Sequence, residues 1–433
     1  MDDFLVYLLV LVVFTNRYVL GQVLKRLAGA RFDETIEGFE PTVATITPLY
    51  NEGEHIFRTI KSLLALDYPK DKLEIIVIDD ASTDDSVAWA LRAAEGHPNV
   101  KVVRNPVNIG KRRAINRGHR ETNAQIIVSV DSDVVVESGA LRELLRRFTR
   151  PEIAAVGGRV MVANPHDNWL TRMQTVKFYF AQEWLKNIER TFKTVLCLSG
   201  CLTAYRREVL EELQPVLETR NVLGVPIKYG EDRFLTRNIV KAGYKTVFTA
   251  AARCYTLAPR TLSGYFSQQI RWRRSNFIDW FGGVKHVWKL PAPVAINYLS
   301  LFALMLVYPL LITEKVANGS LTELIALHVG LLGLLAGLYL FAARNMPASQ
   351  RVGPLAFVSM ALLLPVSYFV FTPLALFTLD SGSWETRGGN AAAAKVASAS
   401  DGAQAAQASA QAQPGSHGAV EPMRAAQEGG GTQ

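Results

Sequence analysis

The runs TVATITP at residues 42–48 and LEIIVID at residues 73–79 decide the fold of this chain. Both are short and rich in β-branched side chains, and residues 53–66 between them have the apolar spacing of a helix. The alternation continues with a helix at 86–95, a strand at 100–104, a helix at 110–121 and a strand at 125–130. This order predicts an α/β fold with a parallel, Rossmann-like sheet covered by helices.

Polar residues follow three of the predicted strands directly. Tyr50 and Glu52 follow the first strand, Asp80 follows the second, and Asp131 and Asp133 follow the strand at 125–130. Ligands on parallel sheets bind beyond the carboxyl ends of the strands. Acidic side chains crowded at one sheet edge repel each other, so helix capping alone does not account for them. The sequence therefore predicts a ligand site at this edge.

Several stretches are nearly free of charge and long enough to cross a hydrocarbon core of about 30 Å as helices. They are residues 4–24, 294–313, 321–343 and 354–379. The first lacks the basic start and the small-residue cleavage site of a signal peptide, so we expect an uncleaved anchor interrupted by Asn16 and Arg17. Lys and Arg flank these stretches in a pattern that predicts a cytoplasmic location for residues 25–290 in a multi-pass protein of the cell membrane.

Charge and cysteine content exclude some classes of protein. The formal net charge of +8 on 433 residues is modest, because cations near anionic lipid headgroups account for much of it. No nucleic-acid partner is implied. Cys197, Cys201 and Cys254 are too few for a disulfide framework. We interpret Cys197 and Cys201 as buried apolar residues, with metal binding as the alternative.

The DSD motif places Asp131 and Asp133 at a strand end, where they can hold Mg²⁺ or Mn²⁺ together with a diphosphate. TPLYNE, IDDASTD and GKRRAIN precede it in that order. These motifs together resemble the family 2 nucleotide-sugar glycosyltransferases, which have a GT-A fold. The resemblance implies a UDP-sugar donor, with Tyr50 and Asp80 at the uridine and Lys111 near the phosphates. Glu52, the last residue of TPLYNE, is a further candidate for the donor site.

Three further motifs narrow the resemblance to hyaluronan, chitin and nodulation chitooligosaccharide synthases. SGCLTAYRREVL at 199–210 matches a segment that borders the acceptor sugar, with Cys201 in place of the usual proline. GEDRFLT at 230–236 matches the motif of the catalytic base, which implies that role for Asp232. QQIRW at 268–272 fits the QxxRW signature of processive synthases, which implies catalytic roles for Gln268, Arg271 and Trp272.

The regions around these motifs are expected to form further parts of the synthase. Residues 168–192 and 263–285 mix aromatic and cationic residues as interfacial helices do. SGSWETRG at 381–388 resembles a segment that closes the nucleotide site, although three full spans before it would put it outside the cell. The stretch at 354–379 is therefore in question, and Pro365 and Pro373 are where it can break.

The resemblance covers about residues 42–388 and predicts an inverting, processive glycosyltransferase that extends a β-linked polysaccharide from UDP-N-acetylglucosamine, with or without UDP-glucuronic acid, and passes it across the bilayer. The expected parts are an N-terminal transmembrane anchor at 1–24, a GT-A domain at 40–260, an interfacial QxxRW segment at 261–290, C-terminal transmembrane helices at 291–380, the SWETR segment at 381–390 and a disordered Ala/Gln/Gly-rich tail at 391–433.

Two alternatives remain open on the sequence. A non-processive membrane transferase that adds one sugar to a lipid acceptor would typically lack QxxRW and the clustered C-terminal stretches. A nucleotide-binding transporter or receptor should carry ionisable residues or broken helices at mid-membrane, and the four stretches hold almost none apart from prolines.

Overall fold

The computed structural model describes residues 3–218, 221–222, 225–227 and 229–379. The strands are β1 (Val43–Leu49), β2 (Leu73–Asp79), β3 (Val100–Arg104), β4 (Ile126–Ser129), β5 (Val135–Val136), β6 (Ile153–Val162), β7 (Thr203–Arg206), β8 (Asn221–Val222), β9 (Val225–Pro226) and β10 (Lys245–Thr256). Eight of them form one sheet in the order β3-β2-β1-β4-β7-β6-β10-β5, and β8 pairs with β9.

The first half of the sheet is the parallel unit that the sequence predicted. β3, β2, β1 and β4 run parallel, and their bounds lie within one residue of the predicted strands. Every residue of β1 is buried, as expected for a strand covered on both faces. Side chains alternate between the two cores, since Val43 and Ile75 lie in one apolar cluster and Ala44 and Ile76 in the other.

The second half of the sheet mixes strand directions. β7 lies antiparallel between β4 and β6, whereas the long strands β6 and β10 pair in parallel and β5 pairs antiparallel with β10. The insertion of β7 brings the loop before Thr203 next to the end of β4. The SGC segment therefore lies beside the DSD motif.

The helices cover both faces of the sheet and continue into the apolar C-terminal region. They are α1 (Asp3–Phe14), α2 (Gly21–Ala28), α3 (His55–Leu64), α4 (Ser86–Ala94), α5 (Lys111–Arg120), α6 (Ala140–Leu145), α7 (Trp169–Glu183), α8 (Asn187–Thr191), α9 (Arg207–Glu218), α10 (Glu231–Lys241), α11 (Leu262–Gly283), α12 (Ala292–Ala317), α13 (Leu321–Ala343), α14 (Pro354–Val366) and α15 (Thr372–Leu376).

The two predicted interfacial segments differ in their outcome. α11 covers most of the predicted segment 263–285 as one helix. The segment 168–192 is divided, because α7 ends at Glu183 and the short helix α8 follows. Asn168 caps α7 by accepting a hydrogen bond from the Thr171 backbone N–H at 3.0 Å.

Within the described part of the chain, three helices are long and apolar enough to cross a membrane: Leu8–Ala28, Ala292–Ala317 and Leu321–Leu338. They correspond to three of the four predicted stretches. The first passes through a π-helical segment, Thr15–Leu20, where the buried Asn16 and the half-buried Arg17 interrupt the apolar run.

The fourth predicted stretch is not one of these three helices. It forms α14, a π-helical segment at Ser367–Phe371 and the five-residue helix α15, with Pro373 in the first turn of α15. The SWETR segment and the tail at 391–433 lie outside the described residues.

Polar side chains pair between the two longest apolar helices. Lys315 Nζ of α12 lies 2.9 Å from Glu323 Oε2 of α13, near the ends of both helices. Further along, the Tyr308 hydroxyl contacts His328 Nε2. His328 is thus an ionisable residue within the predicted span at 321–343, and its partner Tyr308 lies on the neighbouring helix α12.

Candidate active site

The carboxyl ends of β1, β2 and β4 meet at one edge of the sheet. Leu49 of β1 is in register with Asp79 of β2, and the Asp80 backbone N–H donates to the Leu49 carbonyl at 2.8 Å. On the other side of β1, the Val130 backbone N–H donates to the Ile46 carbonyl at 3.1 Å. The loops that follow these three strands, which carry the predicted donor-site residues, are therefore neighbours.

Hydrogen bonds join the loop of the first motif to the loop that follows β2. The Asn51 backbone N–H donates to Ser82 Oγ at 3.1 Å, and Asn51 Oδ1 accepts from the Thr83 backbone N–H at 2.8 Å. The Glu52 backbone N–H donates to Ser86 Oγ at 2.8 Å. Asn51 has a φ of 50°, a conformation that asparagine tolerates better than most residues. These contacts fix the backbone on either side of Tyr50 and Glu52, whose side chains are partly exposed.

Asp80 holds the loop that leads to Lys111. Its Oδ1 accepts from Asn105 Nδ2 at 2.8 Å and from the Ile109 backbone N–H at 2.9 Å, and its Oδ2 accepts from the Gly110 backbone N–H at 2.7 Å. The side chain is fully buried. The observed contacts give Asp80 a positioning role, and its contact with uridine stays a prediction.

Lys111 connects two motifs that are 100 residues apart in sequence. Its Nζ lies 2.7 Å from Asp131 Oδ1 and 2.9 Å from Glu231 Oε1. Burial opposes the charged form, but the two carboxylates raise the pKa of Lys111 well above its ordinary value. A Cβ at Gly200 would lie 3.7 Å from this Nζ, so the SGC segment passes directly beside the ion pair.

The DSD carboxylates are suited to bind a hard cation. Asp133 Oδ2 accepts from Thr256 Oγ1 at 3.0 Å, which orients that carboxylate, while Asp131 faces Lys111. In the part of the chain that the structure describes, no three His, Cys, Asp or Glu side chains cluster as a complete metal site. Two carboxylates completed by phosphate oxygens are the coordination typical of Mg²⁺ at nucleotide sites, so the residues fit such an ion.

Cys201 is adjacent to the same carboxylate. Its Sγ lies 3.5 Å from Asp131 Oδ2. Burial and then the Asp131 charge raise the pKa of the Cys201 thiol well above its ordinary value. Cys197, Cys201 and Cys254 are all free thiols. A protonated thiol is a poor metal ligand, which favours the apolar interpretation of Cys201, but Cys197 and Cys201 are half-buried rather than buried.

Asp232 lies in the first turn of α10, next to Glu231. Its Oδ1 accepts from the Arg233 backbone N–H at 2.8 Å. Burial, followed by the Glu231 charge, raises the pKa of Asp232, which makes the carboxylate a stronger base. Gly230 precedes the helix with a φ of 68°, and a Cβ there would lie 2.0 Å from Ser275 Oγ of α11. The close approach of α10 to α11 at this point therefore requires glycine.

α11 carries the QxxRW motif, and the charge of its Arg271 acts on Glu231. Burial disfavours the charged form of Glu231, but Lys111, together with Arg271, lowers its pKa. Arg271 thus acts on the same carboxylate as Lys111. Gln268 Oε1 accepts from Gln269 Nε2 at 3.3 Å.

Trp272 lies on the side of α11 that meets α7. Its side chain is exposed at 37%, and its ring centroid is 6.0 Å from that of Phe178. An exposed indole beside a second aromatic ring offers a surface on which a sugar ring can stack.

The structure brings Lys111 into contact with Asp131 and Glu231, with Asp232 following Glu231 in α10 and the charge of Arg271 acting on Glu231. Sequence reasoning did not assign a role to Glu231, although GED carries two adjacent acids. It placed Asn51 among the polar residues after the first strand without giving it a role, and it missed Ser86, whose only signal was its position beside a named motif. No pattern in the sequence pairs Lys111 with Glu231.

The mixed sheet with an acidic edge and a lysine at the start of a helix defines a GT-A glycosyltransferase. The chain belongs to glycosyltransferase family 2: the family described as "Glycosyltransferase like family 2" matches residues 41–275. An N-acetylglucosaminyltransferase of Rhizobium leguminosarum bv. viciae is 31% identical over 373 residues, covering 82% of this chain and 84% of that protein. A hyaluronan synthase of Streptococcus pyogenes is 31% identical over 358 residues, covering 80% and 83%.

A solved structure supports the fold. The mannosyltransferase of Pyrobaculum calidifontis, in complex with GDP-Man and Mn²⁺, aligns with a TM-score of 0.59 at 23% identity, covering 86% of this chain and 97% of that chain. This similarity confirms the GT-A fold. The relatives confirm an enzyme of the glycosyltransferase class.

Proposed function

We propose that this protein is an inverting, processive synthase that transfers N-acetylglucosamine from its UDP donor, with or without glucuronic acid, to a growing β-linked polysaccharide. The observation that carries this proposal is the group formed by Lys111, Asp131, Glu231, Asp232 and Arg271. It combines cations for a diphosphate with a half-buried carboxylate that can act as a base. Relatives named N-acetylglucosaminyltransferase and hyaluronan synthase support the choice of sugars.

The donor half of the site is built from the sheet edge. Asp131 and Asp133 would hold Mg²⁺ or Mn²⁺, which supplies positive charge to the diphosphate leaving group. In the structure, Lys111 lies against Asp131. Lys111 contacts Asp131 and Glu231, and the charge of Arg271 acts on Glu231; both cations can bind phosphate oxygens directly. Tyr50, Glu52 and Asp80 lie on the loops that would contact or position the nucleoside.

The acceptor half supplies the base. Asp232 takes the proton from the acceptor hydroxyl as its oxygen bonds to the anomeric carbon of the donor sugar. The bond from that carbon to the phosphate oxygen breaks, and UDP leaves with the electron pair. Attack opposite the leaving group inverts the anomeric centre, which gives a β linkage from an α-linked donor. Gln268 and Trp272 of α11 are available to hold the acceptor end.

Release of the polymer through the same protein is the second part of the proposal. α11 leads through residues 284–289 directly into α12, the first of the apolar helices that follow the catalytic domain. A polar saccharide does not cross lipid unaided, and a path lined by aromatic side chains would lower that barrier. The bilayer and the growing polysaccharide are the partners that this arrangement would take.

The decisive residue for transfer is Asp232. An Asp232→Asn variant retains an oxygen that can accept from the Arg233 backbone N–H, so the fold is expected to persist. Loss of a general base is expected to lower UDP release by about 10²–10⁴-fold. Binding of the UDP-sugar, measured by isothermal titration, should remain.

The exposed Asp71, which lies before β2 at the opposite edge of the sheet, provides the matched control. Asp71→Asn should leave turnover unchanged. Near-normal UDP release from Asp232→Asn would exclude Asp232 as the base. An equal loss of donor affinity and turnover would assign it to binding instead.

A further inference from the structure

α7 and α11 meet at a cluster of aromatic, amide and cationic side chains, which we call the Lys177 cluster: Lys177, Tyr265, Gln269 and Trp272. Lys177 Nζ lies 5.5 Å from the centroid of the Tyr265 ring and 5.8 Å from that of Trp272. It also donates a hydrogen bond to Gln269 Oε1. The cluster thus includes the tryptophan of the QxxRW motif.

The lysine in this cluster has no anionic partner among the described residues, since no carboxylate oxygen of theirs lies within ion-pairing distance of its Nζ. A second cation, Arg273, is near enough to matter. Burial lowers the pKa of Lys177 to about 7, and Arg273 acts in the same direction. Two cations in one partly enclosed place, without a carboxylate for Lys177, disfavour the charged form of the lysine.

Contact with aromatic rings offsets only part of this cost. A cation gains less from an aromatic ring than an ammonium loses when it is removed from water without an anion. Gln269 supplies a neutral acceptor, and its own amide donates to Gln268 Oε1 at 3.3 Å. The lysine is therefore connected to the predicted acceptor residues and is poised for an anion that the protein itself does not supply.

We propose that Lys177 is a specificity residue that recognises the carboxylate of a uronic acid in the growing polymer while that polymer stacks on Trp272. This inference rests on the proposed function, because it assumes that Trp272 binds the acceptor end. A neutral polymer would leave Lys177 without compensation, whereas a polymer with one carboxylate on every second sugar would bring an anion to it. The cluster therefore favours an anionic, uronate-containing product over a neutral one.

The test compares two acceptors on the purified full-length protein in detergent. One is a neutral oligosaccharide of N-acetylglucosamine, and the other alternates N-acetylglucosamine with glucuronic acid at the same length. Wild-type protein should bind the uronate-containing acceptor about tenfold more tightly or better, because a hydrogen bond to a charged group contributes about 1.5–3 kcal/mol. This preference should shrink as salt is raised. Equal binding, or tighter binding of the neutral acceptor, would overturn the proposal without any variant.

Variants then assign the preference to one side chain. Lys177→Met keeps the apolar stem and should remove the preference by weakening binding of the uronate-containing acceptor, without weakening binding of the neutral one, and Lys177→Arg should keep the preference. Arg172→Met removes an exposed cation from the same helix and should keep it as well. If Lys177→Met weakened both acceptors equally, the residue would be structural and the proposal would fail.

The proposed function is tested separately. UDP release is measured from wild-type protein given UDP-N-acetylglucosamine with either acceptor. Absence of release with both acceptors and both UDP-sugars would contradict the proposed function. Release with the neutral acceptor alone would leave the synthase proposal standing and overturn the role of Lys177.

Discussion

Gly283 ends α11 at the place where that helix meets the first apolar helix of the C-terminal region. A Cβ at this position would lie 2.1 Å from the Tyr298 hydroxyl oxygen and 2.9 Å from Tyr298 Cζ. The same hydroxyl approaches the Asp279 carbonyl at 3.1 Å and the Trp280 carbonyl at 3.0 Å. We predict that Gly283→Ala displaces Tyr298 and loosens the joint between α11 and α12.

The expected loss in the free energy of unfolding has two contributions. Overpacking of this kind costs about 1–3 kcal/mol. Tyr298 is 6% exposed, so moving it also leaves buried carbonyl groups without their donor, which adds about 1 kcal/mol or more. The total expected loss is about 2–4 kcal/mol of the free energy of unfolding. Tyr298→Phe alone should cost only the second term.

The assay is denaturation of the purified protein in detergent, read as the apparent midpoint for Gly283→Ala, Tyr298→Phe and the double variant. Because the double variant lacks the hydroxyl that the new Cβ would strike, it should lose less than the sum of the two single losses. Gly337→Ala in α13 is the matched control, since nothing lies within 4 Å of a Cβ there. Simple additivity, or a stable Gly283→Ala protein, would refute this reasoning.

Three further predictions concern the catalytic site. Asp80→Asn replaces one of two accepting oxygens by an amide that cannot accept from backbone N–H groups such as that of Gly110, so the KM for the donor should rise severalfold before kcat falls. Asp133→Asn should abolish transfer in a Mn²⁺ titration, and full activity of this variant in EDTA would exclude the metal assignment. Asp232 must be deprotonated to act, so kcat/KM should fall as pH falls through its raised pKa. Glu231→Gln should move this acid limb to lower pH, because the Glu231 charge helps to raise the pKa of Asp232. An unchanged acid limb would show that the Glu231 charge does not act on the catalytic base.

The first half of the fold was predictable because its signals are local. β2 has the predicted bounds, since its apolar and β-branched residues fill both faces of a covered sheet. β7 was not predicted, because it is four residues long and is fixed by antiparallel pairing with β4 and β6, which are distant in sequence. The division of segment 168–192 has the same origin, since an interfacial composition does not show where a helix turns.

The candidate site was predictable residue by residue but not as an arrangement. The motifs named Lys111, Asp131 and Asp232, and the strand ends indicated a common edge. The contact of Lys111 with Glu231 depends on how α10 approaches α5, and this contact is set by tertiary packing. Lys177 carried no signal at all in the sequence, because its significance is the absence of a carboxylate partner among the described residues.

The measurement that tests the central claim most directly is the size of the product made with a large excess of oligosaccharide acceptor over enzyme. Purified protein would be given UDP-N-acetylglucosamine alone or with UDP-glucuronic acid, and products would be separated by mass at early times. A processive synthase should yield a small number of long chains while most of the acceptor remains unextended. Extension of nearly all acceptor molecules by a single sugar would contradict the account and assign the protein to the non-processive transferases.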